Sequence, residues 1–106
     1  MLDKLAAIEA KYSQIEARLG VPETYHDPAL VAKLNQEQTE LQPLVETFRA
    51  YQQTRAEKEE AEALLSDPEM KELAQEELRR AQEELERLEH ELQLLLLPKD
   101  PNDQKN

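Results

Sequence analysis

From Met70 to Leu95, apolar residues recur at steps of three, four or five: Met70, Leu73, Leu78, Ala81, Leu85, Leu88, Leu92 and Leu95. The positions between them are mostly Glu, Gln and Arg, so on an α-helix the apolar set forms one stripe. The spacing predicts a helix over about 67–97. Asp67 and Pro68 stand at its start, where a carboxylate can accept from a free backbone N–H and a proline has its φ already set. Pro98 closes it. Glu76–Arg80 and Glu83–Arg87 are (i, i+4) pairs in the favourable order. A one-sided helix of this length is not stable by itself, so the rest of the chain must cover its stripe.

Leu2, Leu5, Ile8, Tyr12, Ile15 and Leu19 predict a first helix over 2–19. Gly20 follows where a C-cap of positive φ is expected, and Pro22 prevents continuation. Asp27-Pro28 repeats the cap-plus-proline signal and opens a second helix over about 28–65. Its stripe is Leu30, Leu34, Leu41, Leu44, Val45, Phe48, Tyr51, Ala61 and Leu65. Pro43 lies inside it. The apolar spacing keeps phase across this proline, which favours a kink over a break.

Short turns make consecutive helices antiparallel. Facing positions on the second and third helices should sum to roughly 134–137, which opposes Tyr51 with Leu85 and Leu64 with Met70. On the first two helices the sum is roughly 49, which places Ile15 by Leu34, Leu5 by Leu44 and Leu2 near Phe48. The expected fold is all-α: an antiparallel three-helix bundle, with a short first helix packed on a long two-helix coiled-coil-like hairpin. The stretch 52–60 has no large apolar residue, so the far part of the hairpin should be thin. Residues 1–97 form one helical domain, and 98–106, PKDPNDQKN, read as a linker toward a second domain.

Composition narrows the function classes. The net charge is −11, from 13 Lys plus Arg against 24 Asp plus Glu, and most of the acid lies on the two long helices. Nucleic-acid binding needs a basic face, so no direct contact with nucleic acid is expected. A basic protein surface is the better partner. There is no Cys, which excludes disulfides and thiolate metal sites. No membrane-spanning run or signal peptide is visible, and a cytoplasmic location is expected.

Few residues carry candidate chemistry. His26 and His90 sit on different elements and read as ordinary solvated or packed histidines rather than metal ligands. Glu76-Glu77 and Glu83-Glu84 offer paired carboxylates, but acid–base work needs a cleft that shifts their pKa values, and a helical hairpin has none. Leu94 and Leu97 lie off the stripe and suit either the first helix or a further domain. Tyr25 suits packing under its loop or a partner contact. No catalytic, cofactor-binding or metal-binding residue is assigned, and no cofactor is expected.

The last third carries a resemblance. SDPEM, then a Glu-rich helix, then LLLLPKDPND is similar to the bacterial class I peptide chain release factors, of the type that reads UAA and UAG. The resemblance covers the whole chain, more weakly in its first sixty residues. It implies the N-terminal domain of a termination factor, with the chemistry elsewhere. The family's catalytic Gly-Gly-Gln loop cannot lie here, because Gly20 is the only glycine. The codon-reading Pro-x-Thr tripeptide is likewise expected to be absent from this stretch. As partners the resemblance implies the ribosome near the large-subunit stalk base, the release-factor glutamine methyltransferase, and the remaining domains of the same chain. The alternative is a stand-alone acidic helical adaptor or chaperone-like interaction protein. A helical RNA-binding arm of a synthetase does not fit, since such an arm is basic.

Overall fold

The computed structural model describes residues 1–98 and is all-α. Helix α1 spans Leu2–Leu19, a 3-10 turn spans Pro22–His26, α2 spans Pro28–Leu64 and α3 spans Lys71–Leu95. The expected linker lies, past Pro98, outside the described residues. The chain divides into two compact units, one of Met1–Arg49 and one from Ala50 onward. Helix α2 is continuous through Pro43. Thr39 and Pro43 are both exposed, so the Thr39 carbonyl that lacks an N–H at position 43 stays within reach of water.

In the first unit, Leu5, Tyr12 and Ile15 of α1 and Leu34, Leu44, Val45 and Phe48 of α2 are buried. Asp27 caps α2 as its sequence suggests: the Leu30 N–H donates to Asp27 Oδ1 at 3.2 Å. Gly20 differs from expectation. Its φ is −87° and its ψ −6°, so the cap is right-handed. The α1 carbonyls are satisfied another way. The Thr24 hydroxyl donates to Arg18 O at 2.7 Å, and the Tyr25 hydroxyl donates to Leu19 O at 2.6 Å. Two side chains thus close the helix end without a left-handed residue.

The register of α1 on α2 is also corrected. Loop length alone puts Leu2 near Phe48. Instead Arg49 Nε reaches Glu9 Oε2 at 3.0 Å, and its guanidinium carbon lies 5.6 Å from the Tyr12 ring centre. Those partners stand two to three turns further along α1. The 3-10 turn accounts for the offset, because at about 2 Å of rise per residue it carries the chain onward before α2 starts back.

In the second unit, the C-terminal part of α2 and helix α3 form an antiparallel hairpin. Ala74, Ala81, Leu88 and Leu92 are buried, and Leu78 and Leu85 are half-buried. Together these six alternate at four and three residues, a heptad seam. On α2 the matching positions are Tyr51, Thr54, Lys58 and Ala61. The expected register holds here. Tyr51 and Leu85 line one depression, and Ala61 and Ala74 another, giving sums of 136 and 135. Leu64 faces Leu73, with a sum of 137, rather than Met70.

The seam differs from the expected stripe at both ends of α3. Leu73 is 55% exposed while its neighbour Ala74 is 1% exposed, and Leu95 is 40% exposed. A small residue at the contact lets two helices approach closely, and the larger neighbour is then left outside. Helix α3 also begins at Lys71, later than Asp67-Pro68 suggests. Asp67 Oδ1 accepts from Glu69 N–H at 3.0 Å, and Met70 N–H donates to Asp67 O, so Asp67 builds a turn before the helix.

Candidate functional site: exposed faces of the helices

The paired glutamates of α3 belong to ion-pair ladders on a solvated face. Arg79 bonds Glu76 at 2.6 Å and Glu83 at 2.8 Å. Arg80 Nε lies 3.4 Å from Glu76. Arg87 binds Glu84 and, at 3.3 Å, Glu91. The expected Glu76–Arg80 pair therefore forms, whereas Glu83 turns to Arg79 and leaves Arg87 to other partners. The hydrogen bond from Arg79, and then its charge, holds the Glu76 carboxyl below its ordinary value. The hydrogen bond from Arg87 does the same for Glu84. A general acid needs the opposite shift, so the arginine pairing does not suit these two carboxylates to that role.

A groove of about 470 Å³ runs between α2 and α3 in the second unit, with Tyr51, Arg55, Gln82, Leu85 and Glu86 in its lining. Arg55 sits 6.0 Å from the Tyr51 ring centre. The lining has no Ser, Thr, Cys or His, so it offers no nucleophile–base pair. Among the described residues no group of three or more His, Asp or Glu is placed to hold a metal ion. None of their helices is long and apolar enough to cross a membrane.

One motif needs correction. Pro22-Glu23-Thr24 does match the bare Pro-x-Thr pattern. Its surroundings give it a structural role: it lies in the 3-10 turn, with the Thr24 hydroxyl committed to Arg18 O. Tyr25 is 53% exposed, its hydroxyl anchored to α1 and its ring facing solvent. Leu94 and Leu97 are 55% and 63% exposed. A further apolar pair, Leu64 and Leu73, lies exposed on one depression. Sequence reasoning missed this pair by placing Leu73 in the seam. The five-residue step from Leu73 to Leu78 was the available signal, since the seam steps only by three and four.

The PCRF domain family matches residues 8–106. The chain belongs to the PCRF domain family. Proteins named peptide chain release factor 1 are similar to it along its length. The one from Geobacter metallireducens is 44% identical over 106 residues, covering 100% of this chain and 30% of that protein. The one from Caldicellulosiruptor bescii is 45% identical over 109 residues, covering 100% of this chain and 31% of that protein. The one from Campylobacter curvus is 46% identical over 104 residues, covering 98% and 29%. The chain thus spans about three-tenths of the length of the curated relatives it matches. In this PCRF domain the Glu–Arg ladders of α3 lie on a solvated face, an arrangement suited to presenting surfaces.

Proposed function

We propose that this chain is the N-terminal domain of a peptide chain release factor that directs translation termination at UAA and UAG. It contributes contacts to that process and no chemistry. The observation that carries this reading is the PCRF match over residues 8–106, together with relatives named peptide chain release factor 1. Two further features agree with it. A single glycine leaves no room for a Gly-Gly-Gln loop, so peptidyl-tRNA hydrolysis falls to other parts of such a factor. A net charge of −11 directs the domain toward basic protein surfaces rather than the phosphate backbone.

The partners in this reading are the ribosome near the large-subunit stalk base, the methyltransferase that modifies the glutamine of the catalytic loop, and the remaining domains of the same factor. Cytoplasmic action follows from the same reading. A release assay on stop-codon-programmed ribosomes tests it. The 106-residue chain alone should release no peptide at any concentration, while lowering the rate of an intact release factor by competition for its contacts. Release by this chain, or no competition at saturating concentration, would overturn the reading.

A further inference from the structure

The exposed pair Leu64 and Leu73 lies at the turn end of the second unit. Leu64 ends α2 and is 40% exposed, and Leu73 is 55% exposed. Between them is a notch of about 140 Å³ that also takes in Ala61 and Ala74. The two alanines are 4% and 1% exposed, so the backbone-close floor is apolar and already dry. An engineered apolar cavity of similar size, about 150 Å³, accepts a benzene ring, so the notch can admit one aliphatic side chain.

Its rim has one sign of charge. Glu57, Glu60 and Glu77 complete the lining, and no Lys or Arg joins them. Among the described residues, none of these three carboxylates is held in an ion pair. Glu57 takes only a long hydrogen bond, 3.4 Å, from Gln53. Arg80 lines the adjoining depression with Glu57 and Glu77, but its bond goes to Glu76. From Ala50 to Pro98 there are fourteen Asp plus Glu against six Lys plus Arg, a net of −8, so the surrounding field has the same sign as the rim.

We propose that this notch docks a basic amphipathic helix of a partner protein. One leucine-sized side chain enters between Leu64 and Leu73, and Lys or Arg a turn away on the same helix face meets Glu57, Glu60 and Glu77. The apolar floor supplies affinity and the acidic rim supplies orientation and a faster encounter. An acidic or purely polar partner does not fit, since it faces three unneutralised carboxylates. The inference goes beyond the termination reading and stands without it.

The test is a methyl and amide chemical-shift titration of the 106-residue chain with three Ala-rich helical peptides. The first bears one Leu flanked at i±3 and i±4 by Lys, the second has Ala for that Leu, and the third has Glu for the lysines. The first should bind with shifts centred on Leu64 and Leu73, about tenfold tighter than the second. The third should not bind. Leu73→Ser should weaken the first peptide about tenfold, and Glu60→Gln with Glu77→Gln should weaken it and flatten its salt dependence. The leucine is more than half exposed and the glutamates are exposed, so these variants keep the fold, which circular dichroism checks. Leu64→Ser gives a second apolar probe. Equal affinity for the Leu and Ala peptides, shifts spread along the helices, or no binding by the first peptide would each overturn the proposal.

Discussion

Arg49 Nε lies 3.0 Å from Glu9 Oε2, and the same guanidinium covers the Tyr12 ring at 5.6 Å. One side chain of α2 thus joins a carboxylate and an aromatic one turn apart on α1. Both contacts are partly exposed, so each contributes on the order of 0.5–1 kcal/mol. Arg49→Met should destabilise the chain by about 1 kcal/mol, and Glu9→Gln by about half of that. The Glu9 part should fade in high salt, whereas the Tyr12 part should persist. Urea melts of the two single variants and the double variant measure the coupling. Additive losses would show that Arg49 does not bridge the pair.

Gly20 holds a right-handed φ of −87°, and a Cβ there meets only Ala17 O at 3.4 Å and Glu16 O at 3.7 Å. Gly20→Ala removes freedom from the unfolded chain without straining the folded one. It should raise stability by about 0.4–1 kcal/mol. A thermal melt checks this. A clear loss would mean that the cap is left-handed after all, as helix-ending glycines often are.

Ala61 and Ala74 are both buried and line the same notch, where their small size lets the two helices approach closely. Ala74 is 1% exposed, so Ala74→Leu forces the helices apart and should cost about 1–3 kcal/mol. Ala56, exposed on α2, should accept Ser within about 0.5 kcal/mol. Denaturant midpoints compare the two. Similar losses at both positions would show that the seam does not pass through Ala74.

Glu76 and Glu84 have carboxyls held below their ordinary 4.5 by Arg79 and Arg87. A carboxylate whose folded pKa is depressed adds stability that is present above its unfolded pKa. That part is lost as pH falls through the folded value. The gap in stability between the native chain and a Glu76→Gln, Glu84→Gln variant should therefore be open near neutral pH. It should close as pH falls through the lowered carboxyl values of these two glutamates. Melts across that range measure it. A gap that widens on acidification would contradict the pairing.

Legible in the apolar spacing were the three helices, the Asp27 cap and the α2–α3 register that brings Tyr51 to Leu85. These follow from local periodicity and a short turn. The heptad seam was harder to read because polar residues occupy it. Thr54 is buried, but its hydroxyl bonds back to Ala50 O at 2.9 Å, and Thr47 does the same to Pro43 O at 2.8 Å. A threonine satisfied within its own helix packs like an apolar residue, which composition does not reveal. The α1 register depended on the 3-10 turn, whose form depends on Thr24 and Tyr25 finding the carbonyls of Arg18 and Leu19. That no Gly-Gly-Gln loop lies in these 106 residues was legible in their single glycine, Gly20. The notch at Leu64 and Leu73 was not, because it exists only where two small residues on separate helices meet.

The most direct test deletes residues 1–98 from a full-length release factor that carries this domain. Peptide release is then measured against factor concentration on ribosomes stalled at UAA. A domain that positions without reacting contributes to binding and encounter, not to the bond-breaking step. The deleted factor should keep its kcat within a few-fold of the intact factor, with KM raised about tenfold or more. An unchanged KM with a collapsed kcat would place chemistry in this domain and contradict the proposed role as a contact module.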